Sequence, residues 1–451
     1  MNFLPVPKAT SPYWLSEPHP LASFRSSETV PQEVDIAIIG TGLSGVATAY
    51  HIFKRYGAGR KPSVTLLEAR DACSGATGRN GGHVKTRLIS LKAFYERHGT
   101  EAVAQLVALT TAQRGAIQSI VENENIECEF LIRRSFDMYF DKEHARELKA
   151  WLAERQEEGV SWLDDLQWLE GPHLDRITGV KGAVAAFGSS AISLWPYKFV
   201  TGLLERVVEQ GATLYTNTPV YSVKSGAEEG PVMLSTSRGT VKAHKVVYAT
   251  NAYIAGLLPK YRDVIVPFLG QNSRVVPNEA TLRRCPNPAA TYNLHHTSEA
   301  VDYLNPRPDG AIIHGGGSRN FRHGAADRSD KWFNTVDDSQ LISDKIAPDF
   351  ETINRERFYG WEESEAKVDS TWTGVMGVTP DGLPHAGRVP GTQNQWLLAG
   401  FNGGGMLVIT TLSKGIADMV VDGKELEQTS VPSIFKSTDE RLDNLHPEPS
   451  I

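Results

Sequence analysis

The chain has 451 residues, of which 40% are hydrophobic and 22% charged, so it has enough apolar material to bury two sizeable cores. Its formal charge is −7 and it has neither basic runs nor interleaved basic and aromatic residues, which argues against nucleic acid as a partner. No apolar run reaches the ~18 residues of a membrane span and the N-terminus does not resemble a signal peptide, so we expect no membrane association.

The cysteine and histidine patterns predict neither disulfides nor a metal site. Cys73, Cys128 and Cys285 are widely spaced and form no CxxC pair, which is typical of a reducing compartment. His295 and His296 are adjacent and would point to opposite faces of a strand, and no HExxH or HxH pattern is present. We therefore expect a cytoplasmic protein without a bound metal.

Residues 1–32 predict an irregular N-terminal arm, because they are rich in proline and serine. Tyr13, Trp14 and Leu15 are apolar enough to anchor the arm in a surface groove. A disordered tail is the alternative that the composition leaves open.

A glycine-rich turn follows the first predicted strand, residues 34–39. The sequence GTGLSG at residues 40–45 has the GxGxxG spacing of a dinucleotide-binding turn, and apolar residues at helical spacing follow it. A second strand, residues 63–67, ends in Glu68, where such folds place the carboxylate that binds a ribose hydroxyl. The order of strand, glycine turn, helix, strand and acid therefore predicts a dinucleotide site.

The middle of the chain alternates between helical and strand patterns. A long amphipathic helix is predicted over residues 100–122, two short strands over 130–140 and a charged helix over 143–156. A helix over 199–208 precedes strands at 213–215, 221–223, 232–235 and 245–251, and residues 264–357 alternate in the manner of an antiparallel sheet.

A second glycine-rich turn lies near the C-terminus, where AGFNGGG at residues 399–405 follows a buried apolar strand. A helix is predicted over residues 406–420 directly after it. Two such turns at opposite ends of one chain suggest a single long cofactor. The amides of Gly403, Gly404 and Gly405 are candidates to stabilise negative charge on a redox ring through the helix dipole.

Four blocks together resemble the glycine oxidase and D-amino acid oxidase (DAO) family of FAD-dependent oxidoreductases, over about residues 33–425. The resemblance extends to its subgroup of gamma-glutamylputrescine oxidases and fungal relatives. The blocks are the first glycine turn with residues 68–70, SGATGRNGG at 74–82, VVYATNA at 246–252 with VPFLGQ at 266–271, and GVTPDGLPHAG at 377–387 with residues 399–406.

The resemblance implies an α/β fold, in which a Rossmann-like FAD/NAD(P)-binding domain is interleaved with an α+β substrate domain that contains an antiparallel sheet. The arm is expected to cover residues 1–32 and a C-terminal tail residues 426–451. The implied segments are 33–110, 180–262 and 358–425 for the FAD domain, and 111–179 and 263–357 for the substrate domain.

The same resemblance, together with the glycine turns, assigns the cofactor contacts. Glycines at 78, 81 and 82 are expected to give clearance over the flavin ring. The expected contacts are Gly40, Gly42, Leu43, Ser44, Gly45, Glu68, Ala69, Arg70, Gly75, Ala76, Thr77, Gly81, Gly82, Val220, Thr250, Asn251, Asp381, Gly400, Asn402, Gly403, Gly404, Gly405 and Met406.

FAD is expected to bind without a covalent link. Relatives that bind it covalently use a cysteine near the C-terminal block or a histidine in the small-residue loop. Here no cysteine follows Cys285 and Arg79 occupies the position of that histidine, although His83 leaves covalent attachment open.

The catalytic candidates are Arg79, Asn80, His83 and Trp361. Further candidates for substrate contacts come from the inserted segments and their return, where aromatic faces would suit a cation. They are Tyr292, His295, His296, Tyr303 and Tyr359.

The predicted reaction is oxidation of a C–N bond in an amine or amino acid by hydride transfer to flavin, followed by imine hydrolysis, with O2 reoxidising the flavin to give H2O2. One alternative is an FAD-dependent dehydrogenase of a 2-hydroxy acid or amine that uses another electron acceptor, since no oxygen-activating lysine is evident beside the predicted ring. A lesser alternative is a flavin-binding subunit without turnover. The particular substrate and the oligomeric state stay open.

Overall fold

The computed structural model describes residues 3–56, 59, 61–225, 230–282, 284–322 and 327–445. The last six residues of the predicted tail, 446–451, lie outside the described residues. Within the described part, no helix is both long and apolar enough to span a membrane.

The strands of the described residues form two sheets. They are β1 (Glu33–Ile39), β2 (Val64–Leu67), β3 (His83–Lys85), β4 (Leu131–Tyr139), β5 (Gln167–Glu170), β6 (Ala185–Ser193), β7 (Thr213–Tyr215), β8 (Val220–Ser225), β9 (Val232–Thr236), β10 (Gly239–Tyr248), β11 (Val266–Val276), β12 (Thr291–His295), β13 (Val301–Pro306), β14 (Ile312–Gly315), β15 (Lys367–Val378), β16 (His385–Arg388) and β17 (Gln395–Ala399).

The α-helices of the described residues connect and cover these sheets. They are α1 (Leu43–Tyr56), α2 (Leu88–Asn123), α3 (Lys142–Glu157), α4 (Leu174–Thr178), α5 (Pro196–Glu209), α6 (Glu279–Leu282), α7 (Ile346–Arg357), α8 (Ile409–Asp422) and α9 (Asp439–Asn444).

The first sheet has the order β16-β17-β10-β1-β2-β7, with β8 and β9 attached beside β10. β1 runs parallel to both β2 and β10, and β10 runs parallel to β17. A central parallel strand is covered on both faces, which explains why β1 is apolar over its last four residues. On one side, α1 packs against α5 and α8 around a core that includes Val46, Phe53 and Leu412.

The second sheet has the order β15-β11-β14-β13-β12-β4-β6-β3, with β5 paired to β6. All pairs are antiparallel except β12 with β4. β6 and β15 belong to this sheet, although the predicted segments 180–262 and 358–425 placed them with the FAD domain. The boundaries of the domains therefore stay a prediction.

The elements predicted over residues 100–122 and 130–140 differ from the structure. Residues 130–140 form the single strand β4 rather than two short strands, because β4 pairs with β6 without interruption from Leu131 to Tyr139. The helix predicted over 100–122 is the second half of α2, which begins at Leu88 and changes direction at Gly99. Gly99 has φ +80° and ψ 177°, a conformation that essentially only glycine adopts.

The N-terminal arm packs closely against the body of the protein from Phe3 onwards. Trp14 is fully buried, and its ring lies 5.6 Å from that of Trp195. The indole nitrogen of Trp195 also donates to the carbonyl oxygen of Trp14 over 2.7 Å. The arm is therefore part of the folded core, as its apolar anchor residues predict.

Candidate active site

A cavity of about 1140 Å³ opens at the carboxyl ends of β1 and β10 and reaches the second sheet. Open parallel sheets bind ligands at this edge. The volume exceeds the roughly 300–1,000 Å³ of pockets for drug-sized ligands, so the cavity has room for a large ligand.

The first glycine turn has the geometry of a diphosphate cradle. A Cβ at Gly40, where φ is +106°, would lie 2.6 Å from the carbonyl oxygen of Ala249, and one at Gly45 would lie 1.9 Å from the carbonyl oxygen of Gly40. Both positions therefore require glycine for close packing. Gly42 and Ser44 line the cavity at the N-terminus of α1, where first-turn amides have no partner within the helix.

Glu68 and Arg70 form the next part of the wall. One carboxylate oxygen of Glu68 accepts from the amide and hydroxyl of Thr41 over 2.9 and 2.8 Å, and the other accepts from the amide of Arg70 over 3.0 Å. The guanidinium of Arg70 pairs with the buried carboxylate of Asp338 at 3.0 Å. Glu68 is thereby held at the end of β2, where a ribose hydroxyl is bound in dinucleotide folds.

Two buried hydroxyls of the cavity wall have no partner among the described residues. They are the Oγ1 of Thr250 and the hydroxyl of Tyr253, which follow β10. Buried polar atoms without partners point to a ligand or water that satisfies them. Together with the glycine cradle, they fit a long cofactor with a diphosphate and hydroxyl groups.

The small-residue loop, residues 75–82, is held by its own side chains. The guanidinium of Arg79 donates to the carbonyl oxygens of Ser74 and Thr373 over 2.8 and 2.7 Å, and to the hydroxyl of Thr10 over 3.1 Å. The side chain of Asn80 bonds within the loop, to the carbonyl of Thr77 and the amide of Gly82. Both side chains line the cavity, but their polar groups are engaged in fixing the loop.

The C-terminal glycine turn also lines the cavity, but it differs from the predicted arrangement. The predicted helix 406–420 is wrong in its start, because a 3-10 turn at Gly405–Leu407 comes first and α8 begins at Ile409. The amide of Gly404 bonds to the carbonyl of Phe401 over 2.8 Å, so it is not available to a ligand. The amides of Gly403 and Gly405 have no acceptor among the described residues.

Asp381 lines the cavity, but its carboxylate is directed at the C-terminal segment. It accepts from the guanidinium of Arg441 over 2.8 and 3.3 Å and from the amide of Leu383 over 3.1 Å. Its carbonyl oxygen lies 3.3 Å from Nε2 of His98 on α2. Asp381 therefore joins α2, the TPDG turn and α9.

Most of the predicted cofactor and catalytic residues meet in this one cavity. Gly45, Gly82 and Gly400 support its wall from behind and do not line it, and Trp361 lies elsewhere, buried with its indole nitrogen bonded to the carbonyl of Pro286. The predicted residues that line it are Gly40, Gly42, Leu43, Ser44, Glu68, Ala69, Arg70, Gly75, Ala76, Thr77, Arg79, Asn80, Gly81, His83, Val220, Thr250, Asn251, Asp381, Asn402, Gly403, Gly404, Gly405 and Met406.

Of the five further substrate candidates, Tyr303 alone lines the cavity. Tyr359 is on the surface with its hydroxyl bonded to Asp175, and Tyr292 is buried with its hydroxyl bonded to the carbonyl of Thr178. His295 and His296 lie at the end of β12, away from the cavity.

Lys85 and Arg87 are among the cations of the cavity wall that sequence reasoning missed. They follow the small-residue loop at alternate positions after His83, which is the spacing that places side chains on one face of a strand. Burial holds the pKa of His83 well below its usual range, with a further lowering by Lys85 and Arg87, so the imidazole is neutral. The guanidinium of Arg87 has no ion pair or hydrogen bond among the described residues.

The described residues contain no group of three or more His, Cys, Asp or Glu side chains arranged to hold a metal ion.

A parallel sheet with a glycine cradle and a second sheet border one cavity. This arrangement defines a dinucleotide-dependent enzyme of two interleaved sheets. The chain belongs to the DAO family of FAD dependent oxidoreductases, whose family model matches residues 35–419. The predictions of the fold, of the family and of FAD as the cofactor are confirmed by this match.

The chain aligns with curated relatives over most of their length. Gamma-glutamylputrescine oxidoreductase of Escherichia coli is 22% identical over 431 residues, which cover 91% of this chain and 89% of that protein. Glycine oxidase of Bacillus licheniformis is 22% identical and covers 86% of this chain and 93% of its own length.

Solved structures show the same fold. L-proline dehydrogenase from P. horikoshii aligns with a TM-score of 0.68 at 20% identity, covering 88% of this chain and 95% of its own. Glycine oxidase from Geobacillus kaustophilus aligns with a TM-score of 0.68 at 19% identity, covering 91% and 99%.

Proposed function

We propose that this protein oxidises the C–N bond of a small amine or amino acid with non-covalently bound FAD, and that O2 accepts the electrons and is released as H2O2. The observation that carries the proposal is that one cavity joins the glycine cradle of the first sheet to the buried amine of Lys85 and to the guanidinium of Arg87, which has no partner among the described residues. The names of the curated relatives, an oxidoreductase of gamma-glutamylputrescine and a glycine oxidase, support C–N oxidation.

The residues of the first sheet are the ones that would hold FAD. Gly42 and Ser44 would hold the diphosphate, Glu68 the ribose of the adenosine, and Gly403 and Gly405 the redox ring, since all five line the cavity. When bound, the flavin supplies a hydride acceptor. None of the three cysteines lines the cavity, which supports non-covalent binding.

The substrate space lies between the small-residue loop and the second sheet. A Cβ at Gly81 would lie 2.6 Å from Cε2 of Tyr303, so glycine keeps the loop and the aromatic ring close together. The hydroxyl of Tyr303 donates to Oδ1 of Asn272 over 2.6 Å, which fixes the orientation of the ring. This wall excludes water from one side of the substrate and positions its reacting carbon.

The charge of the substrate space favours a substrate with a carboxylate. The two acidic residues that line the cavity are Glu68 and Asp381, and both carboxylates are engaged by other groups. Arg87 is a cation without an acceptor among the described residues, and a carboxylate is its best-matched ligand. An amino acid therefore fits this space better than a simple diamine.

Anaerobic mixing of purified holoprotein with glycine, sarcosine, L-proline, D-alanine, putrescine and lactate tests the proposal. We expect at least one of the amines, and not lactate, to bleach the oxidised flavin absorbance. Bleaching by lactate alone would refute C–N oxidation. Admission of air should then restore the absorbance with one H2O2 per turnover, whereas slow recovery without peroxide would identify a different electron acceptor.

The covalent state of the cofactor is tested by denaturation. Precipitation of the holoprotein with acid should leave all of the yellow flavin in the supernatant. Flavin that remains in the pellet would indicate a covalent bond, with His83 and His98 as the histidines that line the cavity.

A further inference from the structure

Lys85 is a buried amine that faces the cavity and has one hydrogen bond among the described residues. It lies at the end of β3, directly after the small-residue loop, and is 6% exposed. Its Nζ donates to the carbonyl oxygen of Tyr292 on β12 over 2.6 Å. An ammonium group has three N–H donors, so two donors of this nitrogen have no acceptor among the described residues, and Lys85 lines the cavity.

The charged and titratable groups around Lys85 come from four elements. Asp137 on β4 is fully buried, accepts from the amide of Leu88 over 2.9 Å and from the side chain of Asn293, and lies 3.7 Å from Nε2 of His295 on β12. Arg87 precedes α2 on the cavity side, and the neutral His83 is on the same strand as Lys85.

These groups act on Lys85 in opposite directions. Burial lowers the pKa of Lys85, Asp137 raises it and Arg87 lowers it, and together they bring the pKa to about 7. Lys85 therefore changes charge close to neutral pH, next to a carboxylate that stabilises the charged form.

We propose that Lys85 is the base that accepts a proton from the ammonium group of the bound substrate, a role that rests on the proposed C–N oxidation. The N–H bond of the ammonium breaks, the proton joins the lone pair of Nζ, and the substrate nitrogen keeps its electron pair. The positive charge then lies on Lys85 beside Asp137.

Hydride transfer from the substrate requires this loss of a proton from its nitrogen. A carbon next to nitrogen gives up a hydride when the nitrogen has its lone pair to share, which an ammonium lacks. An alkylamine with a pKa of about 10.4 is only about 0.1% neutral at pH 7.4, so a positioned base that takes the proton as the hydride leaves allows the abundant ammonium form of the substrate to react.

The test is the pH dependence of flavin reduction in anaerobic rapid mixing, with the panel amine that bleaches the holoprotein fastest. We expect the second-order rate of the wild type to rise through an apparent pKa near 7. In Lys85→Met, the rate at pH 7 should fall by about 10²–10⁴-fold and recover as the pH approaches the pKa of the amine itself. Lys92→Met, on the outer side of α2 with an ion pair to Glu96, is the matched control and should keep the wild-type profile.

Two further variants predict shifts of opposite sign and do not remove the amine. Asp137→Asn removes the charge that stabilises protonated Lys85, so the apparent pKa should fall. Arg87→Gln removes a repelling cation, so the apparent pKa should rise. Shifts in the same direction, or a wild-type profile in Lys85→Met, would overturn the role of Lys85.

The pKa of Lys85 can also be measured without turnover, by NMR titration of protein labelled with ¹⁵N at the lysine Nζ. The signal that is absent from the spectrum of Lys85→Met belongs to Lys85. A midpoint near pH 7 supports the proposal and one above pH 9 overturns it. If no amine bleaches the wild type although Lys85 titrates near pH 7, the proposed C–N oxidation fails, and the role of the base fails with it. Bleaching with an unchanged profile in Lys85→Met leaves C–N oxidation intact and refutes the base.

Discussion

The indole nitrogen of Trp14 donates a hydrogen bond to the carbonyl oxygen of Asn80 over 2.6 Å. This bond joins the N-terminal arm to the small-residue loop that lines the cavity. A Cβ at Gly82 would lie 2.8 Å from Cζ2 of Trp14, so the ring also packs directly on the loop. The arm is therefore a structural part of the cofactor site rather than an accessory.

Replacement of Trp14 by Phe tests this relationship. The variant leaves the carbonyl of Asn80 without its donor in a buried place, at a cost of about 1–3 kcal/mol. We expect a lower melting temperature and flavin loss during gel filtration. Trp168→Phe, whose indole bonds to the exposed Glu170, is the control and should retain its flavin. Equal flavin retention in the two variants would contradict the role assigned to the arm.

Gly42→Val is expected to abolish FAD binding. A Cβ at Gly42 would already lie 3.1 Å from Oγ1 of Thr77, and the added methyl groups would enter the diphosphate cradle. The apoprotein should keep its second sheet, as measured by circular dichroism and limited proteolysis. Gly115→Ala, at a helical glycine with open space around it, should bind FAD normally. Normal flavin content in Gly42→Val would contradict the position of the cofactor.

His385 should make the protein less stable at acidic pH. Burial, with Arg441 as a further cause, lowers the pKa of His385 to about 3 from its usual 6.5. Between pH 3 and pH 6.5, His385 is protonated in the unfolded chain but neutral in the folded chain. The free energy of unfolding therefore falls as the pH drops from 6.5 towards 3. His385→Asn should remove about 1.4 kcal/mol per pH unit of this slope in urea unfolding. The exposed His173→Asn should not change it.

The sequence predicted the first sheet and its cradle well because their signals are local. Buried parallel strands are continuous apolar runs in the sequence. Gly40, after β1, and Gly45, in the first turn of α1, are positions where only glycine fits. The second sheet was predicted only in outline, since β6 and β15 join it through pairings between residues far apart in the chain. Such long-range pairing has no signature in a single segment.

Most residues predicted to contact the cofactor line the cavity, whereas most of those predicted to contact the substrate do not. Aromatic residues such as Trp361 have the same sequence signal whether they are in a core or in a pocket, and here Trp361 is in the core. Arg79 lies in the predicted loop, but two of its bonding partners, Thr10 and Thr373, come from the arm and from β15. Lys85 alternates with His83 in the sequence, which places both side chains on one face of β3. This pattern indicates a cavity residue only when β3 is known to border the cavity.

The ion pair between Arg441 and Asp381 should stabilise the turn at Asp381, which borders the cavity. It is largely buried, with side chains 13% and 19% exposed, so removal of one partner leaves the other charge uncompensated. We expect Arg441→Gln to lower the free energy of unfolding by about 3 kcal/mol. Arg388→Gln breaks a more exposed pair with Glu425 and should cost about 1 kcal/mol or less. Equal effects of the two variants would show that Asp381 finds another partner.

Arg87→Gln should weaken the binding of amino acids more than that of simple amines. Arg87 lines the cavity, and its guanidinium has no acceptor among the described residues. Hydrogen bonds to a charged group contribute about 1.5–3 kcal/mol. This corresponds to a rise in KM of roughly 10- to 150-fold for a carboxylate substrate, measured at a pH where the rate has levelled off. The corresponding amine without a carboxylate, such as methylamine for glycine, should show little change in KM. Arg97→Gln, which removes another cation of the cavity wall farther along α2, is the matched control. If the two variants raise the KM of the amino acid equally, Arg87 has no specific role and the cavity selects anions through its overall charge.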